Sequence, residues 1–362
     1  MDSLGIFKNK VVLITGNSGF KGSWLTAWML QLGAKVVGLS LNLPSAPAHF
    51  SVAGLEGRIA HVWGDIRDVD ICCSVINEHR PDFVFHLAAQ PLVLRSYSDP
   101  HETFATNAGG TLNLLEALRL SGHPCTAVFI TSDKCYDNVE QLWGYRENDR
   151  LGGKDPYSGS KGAAELMIRS YAASFFGGDS PVRVAVGRAG NVIGGGDWAD
   201  DRIVPDAVRA WSAGETLAIR SPRATRPWQH VLEPLAGYLT LAARLAADPT
   251  LRGEAFNFGP PSDQSYSVSA LLEEMRSHWL GAKWQDTSEP GAVYEAGLLK
   301  LCCDKALHRL SWQPLLSFAE NVAMTVDWYR AYYGKSSDIW ELTQSQINHY
   351  QRLGSERGAI WS

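Results

Sequence analysis

The sequence has little of what marks metal centres, disulfide scaffolds or membrane proteins. Only six of its 362 residues are cysteine. They fall as Cys72-Cys73, Cys125, Cys135 and Cys302-Cys303, with no CxxC pair and no Cys/His grouping at metal-ligand spacing, so neither a metal site nor a disulfide framework is expected. No apolar run approaches the ~20 residues that span a bilayer, and Met1 to Lys10 lacks the apolar core of a secretory signal, which predicts a cytoplasmic protein with no membrane partner. Positive charge is not in excess either: 33 Lys and Arg face 38 Asp and Glu, a formal net charge of -5. That excludes a broad basic field for nucleic acid, so any phosphate must be met locally. Internal repeats and low-complexity tracts are also missing.

What is present is a large apolar inventory, 45% of the chain, enough for a sizeable core and, at this length, two domains. Lys10 to Thr15 is a short β-branched run ending in glycine, the pattern of a strand buried on both faces of a parallel sheet. Trp24, Leu25, Trp28 and Leu32 follow at helical spacing, closing near Gly33, and Lys35 to Leu39 reads as a second strand. Strands are predicted again at 59–63, 83–87, 127–131 and 182–186, with helices at 69–78, 106–120 and 157–176 between them. This alternation predicts an α/β fold, a Rossmann-type doubly wound parallel sheet, over residues 1–186. From Gly190 the texture turns to glycine-rich loops, short helices and tryptophans. Residues 187–335 are therefore expected to form mainly a smaller C-terminal α/β substrate-binding domain, with segments returning to the first. Residues 336–362 read as a docked helix and a loose end.

Thr15-Gly-Asn-Ser-Gly-Phe-Lys-Gly22 sets Gly16, Gly19 and Gly22 three apart between a predicted strand and a predicted helix. Glycine there allows a tight turn and a close approach to a pyrophosphate, and the helix start offers free N–H groups to the anion. A dinucleotide is the expected ligand. Asp65, just after the third strand, either accepts from an adenine amino group or is a solvated loop carboxylate. The second strand ends Leu39-Ser-Leu-Asn42, with neither an acid for the ribose hydroxyls nor an Arg for a 2′-phosphate, which leaves NAD and NADP both open. Lys21 suits a 2′-phosphate, the pyrophosphate or solvent equally.

Asp155-Pro-Tyr-Ser-Gly-Ser-Lys161 supplies a helix cap and a first-turn proline, and sets Tyr157 and Lys161 on one helix face. A phenol with its ordinary pKa of ~10 is a weak base at neutral pH. An adjacent ammonium and a nicotinamide cation are expected to lower that value, letting Tyr157 take the proton of a hydroxyl as its carbon is oxidised. His86 and His230 fit packed positions near strand ends better than proton transfer.

The glycine loop, Leu87-Ala-Ala-Gln90, Asn107, Ser132 and Tyr157-x-x-x-Lys161 together resemble the extended short-chain dehydrogenase/reductase superfamily over most of the chain. Within it, Thr131-Ser-Asp-Lys-Cys-Tyr136 resembles the sugar-nucleotide 4,6-dehydratases. Asp-Lys in place of an acidic pair, with Phe20-Lys-Gly-Ser-Trp24 and Gly194-Gly-Gly-Asp-Trp198, resembles the CDP-glucose 4,6-dehydratases. The resemblance implies an NAD enzyme that oxidises C4 of CDP-glucose, eliminates water across C5 and C6 and reduces C6, in deoxysugar synthesis for cell-surface polysaccharide such as O-antigen. It implies Asp133 as the acid, Lys134 as the base and Ser132 as a hydrogen-bond donor to the C4 oxygen, with burial keeping Asp133 protonated and Lys134 neutral. Against the cofactor it places Gly16, Asn17, Gly19, Phe20, Lys21, Gly22, Asp65, Ile66, Leu87, Ala88, Ala89, Gln90 and Asn107, beside Tyr157 and Lys161. On the substrate side it points to Arg226 for the pyrophosphate, since a guanidinium fork matches phosphate oxygens, with Asn191, Arg202 and Tyr294 as further contacts. Trp198 and Trp228 either stack on sugar or base or belong to the core. The resemblance also implies a homodimer through the helices at 107–120 and 157–176, or a tetramer. Another dehydratase or a 4-epimerase on the same scaffold is the alternative, and the Asp133-Lys134 dipeptide argues against the epimerase.

Overall fold

A computed structural model describes residues 3–261, 264–288 and 298–361, so Tyr294, expected at the substrate, lies outside the described residues. The first half runs β1 (Val11–Thr15), α1 (Phe20–Gln31), β2 (Lys35–Ser40), α2 (His49–Val52), β3 (Ala60–Trp63), α3 (Val69–His79), β4 (Phe83–His86), α4 (Val93–Ser98), α5 (Pro100–Phe104), α6 (Gly110–Ser121), β5 (Cys125–Ile130), α7 (Pro156–Ser174) and β6 (Val182–Ala189). The second half runs β7 (Val192–Ile193), α8 (Ile203–Ser212), β8 (Thr216–Ile219), β9 (Thr225–Arg226), β10 (Gln229–His230), α9 (Leu232–Ala247), β11 (Ala255–Phe258), β12 (Tyr266–Ser267), α10 (Val268–His278), β13 (Lys283–Asp286), α11 (Asp304–Leu310), α12 (Phe318–Tyr333) and α13 (Ile339–Glu356).

Seven strands form one sheet in the order β11-β6-β5-β4-β1-β2-β3, every neighbouring pair parallel. Its central strands are apolar almost throughout because helices cover both faces. The winding reverses between β1 and β4, where Thr15 is paired with His86. The crevice beyond the carboxyl ends at such a reversal is where sheets of this class receive ligands.

β6 continues to Ala189, and β11 returns from the second half to pair with it as the edge strand. The remaining sheets are three two-stranded pairs, β7 with β10, β9 with β12 and β8 with β13. The later helices are not uniformly short: α9 and α12 have 16 residues each and α13 has 18. One apolar core lies under α3, α6 and α7 on one face of the sheet. The opposite face shares a single core with α1, α8, α9, α12 and α13, so burial runs without a seam from the sheet into the second half. The expected loose end is anchored instead. Trp361 is 1% exposed, stacked on Tyr350 at 5.3 Å and edge-on to Trp28 of α1 at 6.1 Å; an indole that can be covered on both faces is strongly held. Among the described residues no helix is long and apolar enough to cross a membrane.

Candidate active site

At the sheet reversal the glycine loop is shaped by lack of side-chain volume. Gly16 has φ +72, and a Cβ there would come 2.6 Å from the Ala88 nitrogen. A Cβ on Gly22 would come 2.1 Å from the Gly16 carbonyl oxygen. Helix α1 begins after Gly19 with no side-chain cap, so its first N–H groups are presented to an anion rather than to a residue. A dinucleotide pyrophosphate fits this cradle. Lys21 faces inward. Burial, with the charges of Lys161 and Arg202, pulls its ammonium down to about 8, while Asp133 pulls the other way. Phe20 packs against the main core.

Several residues expected to touch the cofactor also brace its crevice. The Asn17 side chain turns behind the loop, its Nδ2 3.0 Å from His61 Nδ1 and its Oδ1 accepting from Ser40 Oγ at 2.7 Å. Asn107 lies in a π-helical turn, Ala105–Gly109. Its Oδ1 accepts from the Gln90 N–H at 2.8 Å, and its Nδ2 donates to the Gln90 carbonyl and to Ser160 Oγ of α7. The Gln90 side chain closes on Leu92 and Thr103. Leu87, Ala88 and Ala89 are half-buried at the crevice, with the Leu87 and Ala88 N–H groups bonded to Thr15. Ile66 is buried against Gly110. Asp65 holds Arg67 through both carboxylate oxygens, which keeps its carboxyl below the usual range. His86 is buried between Thr15 and Thr111 at 2.7 and 3.1 Å, and burial lowers its pKa to about 3. His230 is likewise buried, edge-on to Trp24 at 6.0 Å.

The turn after β5 meets the start of α7. Asp155 caps α7 by accepting from the Ser158 N–H at 2.9 Å, and Pro156 opens the helix, which fixes Tyr157 and Lys161 on the inward side, 8% and 6% exposed. Ser132 donates to Asp133 Oδ1 at 2.8 Å and its hydroxyl also accepts from the Lys134 N–H at 3.3 Å. The start of α7, with Tyr157, packs on this turn. Asp133 is 3% exposed, and burial raises its pKa against the pull of Lys134, Ser132 and Lys21. The phenol does not follow expectation. Burial pushes Tyr157 up to about 12, with Ser132 and Arg202 drawing it down, and the Lys161 ammonium is itself lowered to about 8 by burial. In the chain alone, desolvation outweighs the neighbouring cation.

Behind this turn lies a network that the sequence reading did not single out. Glu165, one helical turn beyond Lys161, takes Arg188 Nε at 2.8 Å and Nη2 at 2.9 Å, with both side chains under 5% exposed. Thr131 donates to the same carboxylate at 2.5 Å, and Arg188 also reaches Tyr136 at 2.7 Å. The i, i+4 step from Lys161 on one face of α7 was the available signal.

On the substrate side, Arg202 is bonded to Asp197 at 2.7 Å, and its charge acts on both Tyr157 and Lys21. Arg226 stands in β9 opposite Tyr266 of β12. The Asn191 carbonyl accepts from the Gln229 N–H at 3.1 Å, anchoring its loop. Trp198 belongs to the core rather than to a sugar. It is 4% exposed, wrapped by Trp328, Tyr329 and Tyr332, with its N–H on the Tyr333 hydroxyl. Trp228 is buried in the same core.

The family model described as the NAD dependent epimerase/dehydratase family matches residues 12–259. The chain belongs to that family. It is 43% identical over 349 residues to the CDP-glucose 4,6-dehydratase of Salmonella typhimurium, covering 95% of this chain and 97% of the relative. Among solved structures it resembles the epimerase Mth375 of Methanothermobacter thermautotrophicus, with TM-score 0.77 and 25% identity over 95% of this chain and 97% of that one. It also resembles MoeE5, solved in complex with UDP-glucose and NAD, with TM-score 0.72 and 25% identity over 89% and 99% of the two chains.

Proposed function

We propose that this chain dehydrates CDP-D-glucose to CDP-4-dehydro-6-deoxy-D-glucose, with NAD held on the glycine loop. The observation that carries the reading is the buried Ser132–Asp133 pair packed against the start of α7, where Tyr157 and Lys161 face inward. NAD, when bound, takes the C4 hydrogen and returns it at C6, so no external electron carrier is consumed. Gly16, Gly19, Gly22 and the start of α1 hold its pyrophosphate, with Lys21 beside it. Tyr157 takes the C4 hydroxyl proton while Ser132 donates to that oxygen, and Lys161 stands on the same helix face. The resulting ketone acidifies C5. Lys134 removes the C5 proton, and Asp133, whose affinity for its proton is raised by burial, gives that proton to the departing C6 hydroxyl. Arg226, Arg202 and Asn191 are assigned to the substrate diphosphate.

Support for cytidine and glucose comes from the 43% identical Salmonella typhimurium relative. A cytoplasmic homodimer through α6 and α7 completes the reading, in line with exposed Leu120, Leu166 and Phe175 on or beside those helices; a place in deoxysugar synthesis for surface polysaccharide follows from the product. The test is to incubate the purified protein with CDP-glucose and follow the alkali-induced absorbance of a 4-keto-6-deoxy sugar, with TDP- and GDP-sugars as controls. Turnover of CDP-glucose above the controls is expected, and recovery of only the C4 epimer would overturn the assignment. Lys134→Glu is expected to cut elimination about 100-fold or more and leave NAD affinity within about twofold; unchanged turnover removes Lys134 from the role of base.

A further inference from the structure

The turn that carries Ser132, Asp133 and Lys134 is held at both ends by one carboxylate, directly at one end and through a guanidinium at the other. Ahead of the turn, Thr131 donates its hydroxyl to Glu165 Oε1 at 2.5 Å. Behind it, the Tyr136 hydroxyl accepts from Arg188 Nη1 at 2.7 Å. Arg188 is fixed to Glu165 by two further donors, Nε at 2.8 Å and Nη2 at 2.9 Å. All four side chains are buried. Tyr136 also donates to Asn257 Oδ1 of β11 at 2.8 Å, which ties the far end of the turn to the edge of the sheet.

Between these ends the chain has a stiffness of its own. Asp133–Cys135 is a single tight helical turn, closed by the Cys135 N–H on the Ser132 carbonyl at 3.1 Å and the Tyr136 N–H on the Asp133 carbonyl at 3.3 Å. A short element bonded within itself and anchored at both ends moves as one piece with whatever holds it. What holds it is α7, where Tyr157, Lys161 and Glu165 follow at four-residue steps along one face. A buried ion pair gives little stability for its own sake. This one gains a third partner on the turn, since Glu165 Oε1 is shared between Arg188 and Thr131.

We propose that Glu165 is a positioning residue for the elimination, holding the Ser132–Tyr136 turn at both ends so that Asp133 and Lys134 meet C6 and C5 of a sugar whose C4 hydroxyl is on Tyr157. The proposal rests on the roles given above to Asp133 and Lys134. Glu165 exchanges no proton and touches no substrate. Its part is geometric: the acid and the base come from the turn, the base for the oxidation comes from α7, and one sugar must suit both. A misplacement of about 1 Å between such groups costs on the order of 100-fold in rate. Loosening the clamp therefore slows elimination more than C4 oxidation, whose base is on α7 itself.

Thr131→Val tests this while leaving the ion pair in place, because it removes one hydroxyl, keeps the branched side chain and leaves Arg188 on Glu165. With NAD and CDP-glucose, kcat should fall about tenfold with KM within about twofold. Reduced cofactor, read by its near-ultraviolet absorbance, should accumulate during turnover because C4 oxidation then outruns elimination. Thr131→Ser keeps the donor, and it should return kcat to within about twofold of the wild type and abolish the accumulation. A second readout needs neither substrate nor cofactor: amide hydrogen exchange at 132–136 should quicken about tenfold in Thr131→Val, with α7 unchanged. A wild-type kcat in Thr131→Val, a fall in kcat without accumulation of reduced cofactor, or unchanged exchange at the turn overturns the proposal. If the wild type does not dehydrate CDP-glucose, the reaction assignment falls separately, and the exchange measurement still decides whether Glu165 holds the turn.

Discussion

The glycine loop after β1 and the Ser132–Tyr136 turn after β5 lie two strands apart on the same edge of the sheet, and they are built by opposite means. The loop owes its shape to atoms that are not there. At Gly16 and Gly22 any side chain would strike backbone, and the N–H groups that result are left for a ligand. The turn owes its shape to polar atoms engaged in two buried sets, Ser132 with Asp133 and Thr131 with Glu165, Arg188 and Tyr136. The difference teaches where each can fail. A substitution in the loop is felt as volume and should be indifferent to pH. A substitution at the turn alters the surroundings of every neighbouring charge, so its effect should vary with protonation.

The strongest way to break this contrast is Glu165→Gln. It leaves the Arg188 guanidinium buried and unbalanced, so unfolding by denaturant should show a loss of about 3–5 kcal/mol. Adding Arg188→Met should return much of it, and a loss that persists unchanged in the double variant would mean that charge balance is not what the pair supplies. Gly22→Ala sharpens the other side. A Cβ 2.1 Å from one backbone oxygen and 2.8 Å from the Asn17 Cα should weaken NAD binding about 100-fold, roughly 2.7 kcal/mol, and calorimetric titrations at pH 6 and pH 9 should show the same factor. A smaller effect is expected from Lys161→Met in the cofactor-free protein. Burial holds this ammonium at about 8 against an ordinary 10.5, so the unfolded chain binds the proton more readily across that interval. The destabilisation is complete below pH 8 and fades as pH rises to 10.5. The variant should therefore be more stable at pH 7 by about 1–2 kcal/mol, and the gain should shrink toward pH 10; a gain independent of pH would point to packing instead.

How far the sequence foretold this arrangement depended on whether a feature was local. Six strands of the seven-stranded sheet were legible within a few residues because each is one apolar run set off by turn residues, and Asp155 declared itself as a cap because Pro156 and Ser158 follow it closely. The glycine spacing also pointed to its own purpose. Features made by distant partners were not legible. Glu165 looks like an ordinary helical acid until Arg188 is brought to it from β6, and nothing in the run Ala255–Phe258 says that it returns to the edge of the first sheet. Asn17, Gln90 and Asn107 were expected beside the ligand, and the sequence could not show that their side chains are also tied to Ser40, Thr103 and Ser160. For Trp198 a sugar stack and a core position were both open, and the aromatic partners that place it in the core come from α12, more than 120 residues later.

Trp361 gives the order of manufacture a meaning. Helix α1, which opens the cradle for the dinucleotide, leaves the ribosome well before residue 361, yet part of its outer surface is sealed by the indole at that position. At the usual pace of translation, about 5–20 residues per second, Trp28 must wait tens of seconds for its cover. A nascent chain thus carries an exposed indole beside its nucleotide loop until the segment after α13 has been made and completes the housing of α1.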